Sequence, residues 1–87
     1  MSSIEHVIQT ESVEDVLLAF APNTPYPSID RLYVQFNFDV ISTGQLLPTY
    51  KRLLAEGKLA KDANGHTLKG PNWKEPTFIT EKKYSFE

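Results

Sequence analysis

The stretch TGQLLPTYKRLLAEGKLAKDANGHTLKGP, residues 43–71, decides how this chain is to be read. Leu46, Leu47, Tyr50, Leu53 and Leu54 recur with the spacing of one apolar helix face. Pro48 suits the first turn, where its missing N–H is harmless, and Gly57 is a natural residue just beyond the last turn. Residues 58–61 and 66–69 then flank Asp62-Ala63-Asn64-Gly65, a hairpin turn in which Asn-Gly accepts positive φ. The stretch predicts a short helix stopped by Gly57 and feeding directly into a two-stranded hairpin.

Upstream, Ser12 followed by Asp15 forms an approximate capping box, with an acid at the positive end of the helix dipole. Val13, Val16, Leu17 and Phe20 fall at i, i+3, i+4 and i+7, a short amphipathic helix that Pro22 ends. Residues 4–9 fit either a short strand or a helical turn. Residues 22–28, PNTPYPS, read as a rigid loop because their three prolines exclude helix and remove donors. Ser28 can cap a helix whose Ile29, Leu32, Tyr33 and Phe36 have helical spacing. Yet Leu32, Val34, Phe36, Phe38 and Val40 also alternate with polar or aromatic partners, and β-branched and aromatic residues favour a strand over 33–41. Both readings of 31–41 stay open. Downstream, residues 70–76 are turn-rich, and residues 77–86 predict a last strand whose edge Lys82 and Lys83 would protect.

Eighty-seven residues suit one small domain, 1–87, of the α+β class, and 40% apolar with 23% charged residues is ordinary for a folded chain. With no cysteine there is no disulfide framework and no thiolate chemistry, which favours a cytoplasmic location. The first residues have no basic region and no apolar run, so no signal peptide is expected. The longest apolar run, residues 16–22, falls well short of the roughly 20 residues a membrane helix needs.

Charge is uneven along the chain. Residues 1–42 carry Glu5, Glu11, Glu14, Asp15, Asp30 and Asp39 against Arg31, whereas residues 43–87 have a net charge of +3 within the overall −2. Such a division offers an acidic face to a basic partner, or a basic face to phosphates.

The run YKRLLAEGKL, residues 50–59, resembles the passage from recognition helix to wing in winged helix-turn-helix domains. The resemblance covers about half the chain. It implies two or three short helices followed by a hairpin, with residues 28–37 as the second helix, 45–56 as the recognition helix and 58–69 as the wing. The DNA-binding activity of that family would fall to Gln45, Thr49, Lys51 and Arg52 on the helix, with Lys58, Lys61, His66 and Lys69 on the wing. An acidic chain of pI near 5.6 departs from the basic footprint that phosphate binding demands.

Signals for catalysis or cofactors are weak. His6 and His66 lack chelating spacing, no serine lies in a GxSxG context, and the adjacent Glu14 and Asp15 point to different helix faces. No enzyme activity, metal or cofactor is expected. The favoured reading is a protein-binding module. By size and charge it is similar to the immunity proteins that neutralise nuclease toxins. In that reading Glu11, Glu14, Asp15, Asp30 and Asp39 match a basic partner, and Tyr26 or Trp73 supplies an aromatic anchor. For Trp73 the competing expectation is that its indole covers the core.

Overall fold

The computed structural model describes residues 3–84. The chain forms α1 (Ser3–Thr10), α2 (Val13–Phe20), α3 (Tyr26–Phe36), α4 (Phe38–Ser42) and α5 (Leu46–Ala55). The hairpin β1 (Leu59–Lys61) and β2 (Thr67–Lys69) follows, and then the single turn α6 (Thr77–Thr80). Helices plus one small antiparallel sheet make this an α+β arrangement.

Residues 4–9 are helical. Val7 and Ile8 of α1 are fully buried, and they pack beside α3. In α2 the Ser12 hydroxyl accepts the Asp15 N–H at 3.1 Å, so the expected cap forms. Val16, Leu17 and Leu18 of this helix enter the core. α2 packs along α5, and α5 passes Leu46, Tyr50 and Leu53 inward at i, i+4 and i+7.

The C-terminus of α5 is as predicted. Gly57 has φ of 76°, its N–H reaches the Leu54 carbonyl, and the Lys58 N–H reaches that of Leu53. This Schellman pairing turns the chain straight into β1. β1 and β2 pair antiparallel with Leu59 opposite Lys69 and Lys61 opposite Thr67. In the turn between them only Gly65 takes positive φ, at 82°, while Asn64 stays on the ordinary side. The Asp62 carboxylate fixes this tip by accepting the Asn64 and His66 N–H groups, each at 2.9 Å.

One open choice is decided and two expectations are corrected. Residues 31–41 are helix, broken once at Asn37, and not the strand that their composition favours. A strand there would need a neighbour to pair with, whereas a helix closes its own hydrogen bonds and buries Ile29 and Tyr33 beside α1. Residues 22–28 are only partly a loop, because α3 already starts at Tyr26. Pro25 is its N-cap and Pro27 lies in the first turn, where a helix has no use for the N–H that proline lacks. Ser28 is therefore inside the helix and does not cap it.

The second correction concerns residues 77–86. Pro76 starts the helical turn α6, which drives Phe78 into the core at 2% exposure, and Lys82 closes the turn with φ of 54°. Lys82 and Lys83 therefore protect no strand edge. The last residues of that expected strand lie outside the described residues.

Buried side chains from α1 through α6 join in one hydrophobic cluster. Tyr33 is fully buried within it, and its hydroxyl has no hydrogen-bond partner among the described residues. Burial pushes the Tyr33 hydroxyl pKa up. No helix among the described residues is long and apolar enough to cross a membrane.

Candidate functional site

Helix α5 has two flanks, and they differ in kind. On the flank that faces α2, Arg52 donates to Glu14 at 2.7 Å and lies 3.2 Å from Glu56. Lys58 lies 3.3 Å from Glu14 and 3.4 Å from Glu56. Two carboxylates and two cations thus neutralise one another across α2, α5 and the start of the hairpin. The Arg52 hydrogen bond is the main reason the Glu14 carboxyl is held below its ordinary range.

On the other flank lies a groove of about 610 Å³, walled by residues 21–27, by Leu47 and Tyr50 of α5, and by the hairpin tip at Lys61 and residues 65–67. Its floor is aromatic. The rings of Tyr26 and Tyr50 lie 4.9 Å apart between centroids and tilted by 47°. The Tyr50 hydroxyl is 2.6 Å from Thr67 Oγ1, which ties α5 to β2. The Lys61 ammonium stands 5.5 Å from the Tyr50 ring centroid. Leu47, 46% exposed, forms an apolar lip.

Local sequence explains the walls. Pro22, Pro25 and Pro27 stiffen the short connection from α2 to α3 and set Tyr26 at the first position of α3. Asp62 locks the hairpin tip and thereby places Gly65 and His66. Burial raises the Tyr26 hydroxyl pKa, helped by the negative charge of Asp30 one turn along α3. His66 is 76% exposed, with Nδ1 3.5 Å from Asp62 Oδ2.

Of the residues expected to face a basic partner, Glu11 and Glu14 are engaged within the fold. Glu11 accepts Lys83 Nζ at 2.9 Å and the Tyr84 hydroxyl at 2.7 Å. The Lys83 bond is the larger cause of its lowered pKa. Asp15 is half-buried next to them. Its pKa is raised by burial first and by the charges of Glu14 and Glu11 after it. Asp30 is half-buried and Asp39 exposed, on α3 and α4 respectively.

The two aromatic anchors part company. Tyr26 lines the groove, whereas Trp73 folds back on the core as the competing expectation held. Its indole N–H donates to the Leu18 carbonyl at 2.8 Å. That carbonyl would ordinarily accept from residue 22, but residue 22 is proline, so the indole takes the place of the missing donor. Lys69 covers the outer face of the ring at 4.2 Å.

The residues expected to contact DNA are likewise divided. Arg52 and Lys58 belong to the ion-pair cluster, Lys69 to Trp73 and Lys61 to the groove. The Thr49 hydroxyl donates to the Gln45 carbonyl of its own helix at 2.8 Å. Gln45 and Lys51 are exposed.

Sequence reasoning missed Leu47, Tyr50 and Thr67 as groove residues. Leu47 offered a signal, because it lies off the line of Leu46, Tyr50 and Leu53 that a short helix can bury. Thr67 offered none. Among the described residues no group of three or more His, Asp or Glu side chains gathers as for a metal ion. No family model matches the sequence, and neither a curated protein nor a solved structure shows significant similarity to it.

Proposed function

We propose that this chain is a non-catalytic protein-binding module that docks a partner in the groove between the proline-rich connection, α5 and the hairpin tip. One observation carries the reading: Leu47 stands half exposed at the lip of a preformed aromatic groove. Prolines, a helix and a locked turn hold its walls, so little conformational entropy is lost on binding. Neither a carboxylate nor a serine lines it among the described residues.

A basic partner such as a nuclease toxin would be met outside the groove, by Asp15, Asp30 and Asp39, since Glu11 and Glu14 are already paired with Lys83, Arg52 and Lys58. Affinity capture from the cells that make the protein tests the reading, with Leu47→Asp as control. A partner retained by the natural chain and lost at least tenfold by Leu47→Asp supports groove docking. A partner held equally by both overturns it.

The order helix α3, short helix α4, helix α5, hairpin favours a second reading, a winged-helix DNA-binding regulator. Gln45, Lys51 and the hairpin lysines would then face the duplex. Titration of random-sequence duplex DNA at rising salt tests it. Binding at low salt that weakens steeply, and is lost in Lys51→Glu, would support it. Absence of binding at low salt would remove it.

A further inference from the structure

Resting on the docking reading, we infer that the groove takes an acidic segment. This is an extended peptide that lays an aromatic or aliphatic side chain against Leu47 and Tyr26 and turns a carboxylate toward Lys61. The charge of the lining points that way. Apart from the two tyrosines, its ionisable groups are Lys61 and His66, both on the hairpin side. A chain of net charge −2 thus sets one full positive charge, Lys61, at this lip, while His66 stands 3.5 Å from Asp62. Asp30, whose charge reaches Tyr26, lies outside the lining.

Hydrogen-bonding capacity agrees with the charge. Pro22, Pro25 and Pro27 have no N–H to offer, so on that wall the donors are Asn23 and Thr24, and across from them stands the Lys61 ammonium. A ligand rich in acceptors satisfies these donors, and a carboxylate meets Lys61 with charge assistance. A cationic segment would meet Lys61 head on. The Tyr50 ring, 5% exposed and with Lys61 close by, offers no platform for successive bases. That leaves only Tyr26 for stacking and argues against single-stranded nucleic acid.

The test selects phage-displayed random peptides on the natural protein and measures the enriched peptides by fluorescence anisotropy. The expected peptides place Asp or Glu beside an aromatic or aliphatic residue and lose binding in Leu47→Asp. Lys61→Gln should weaken them about fivefold, the scale of one rim charge pair, and Lys61→Glu at least tenfold. Replacing the peptide carboxylate by its amide should cost the natural protein the same factor and the Lys61→Gln variant nothing.

Enriched peptides that are basic, or that bind equally after amide replacement, overturn the inference while leaving groove docking in place. Peptides indifferent to Leu47→Asp, or no enriched peptides at all, overturn both. Oligothymidylate that competes with the selected peptide and binds more tightly overturns the acidic-peptide assignment in favour of nucleic acid.

Discussion

The two flanks of α5 are built from similar materials and reach opposite ends. On the α2 side, Glu14, Arg52, Glu56 and Lys58 neutralise one another. On the groove side, Leu47 and Lys61 face outward above two tyrosines, with no carboxylate in the lining among the described residues. The difference teaches that charge in a sequence does not indicate a docking face until its internal partners are known. Here the expected acidic face is partly consumed by the expected basic one.

The sharpest way to break the closed side is at its far end, where Gly70 backs onto Gly57. A Cβ at Gly70 would collide with the Gly57 carbonyl oxygen, which is backbone and cannot swing away. Gly70→Ala should therefore cost about 3 kcal/mol or more, as overpacking against fixed atoms does. For a chain of this size that lowers Tm by more than about 12 °C, measurable by calorimetry.

Trp73→Phe attacks the same side more gently. It keeps a ring over the core but leaves the Leu18 carbonyl without its indole donor. The expected loss in chemical denaturation is about 1–2 kcal/mol.

Glu14→Gln sharpens the contrast through pH. Glu14 and Glu11 have folded pKa values below the ordinary 4.5, so their contribution is complete above that value. It disappears as pH falls through the lowered folded values. Asp15, with a raised pKa, runs the other way: ionised it costs stability, and protonation relieves that cost as pH falls through the raised value. Glu14→Gln should thus flatten the loss of stability below about pH 4.5 while costing about 0.5 kcal/mol at pH 7, since the group is a third exposed. Unfolding midpoints across pH 3–7, on the order of the carboxylate range, check both.

The smallest effect on stability belongs to the open side. Leu47→Asp should shift unfolding free energy by no more than about 0.5 kcal/mol, because the side chain already meets water. A large loss of stability would show that Leu47 belongs to the core and would erase the contrast between the flanks.

Much of the fold was legible locally. The Ser12 cap, the buried line of α5, the Gly57 stop and the hairpin all depend on residues within a few positions of one another. Residues 31–41 were not legible, because helical spacing and strand alternation coexist in them and only the neighbourhood of α1 selects the helix. Nor was the end of the chain. Lys82 closes α6 in the left-handed region, where glycine is the expected residue, so nothing announced a helical turn there.

By itself, the sequence determined a cysteine-free α+β chain with short capped helices, a hairpin and a proline-stiffened connection. Tertiary structure alone decided which groups meet. It brought Glu14 to Arg52 across 38 positions, Tyr50 to Thr67 across 17, and the Trp73 indole to the carbonyl that Pro22 leaves without a donor across 55. Caps and turns arise from neighbours on the chain, which sequence displays directly. Ion pairs, replacement donors and grooves arise from segments distant along the chain, whose approach depends on how the whole core packs.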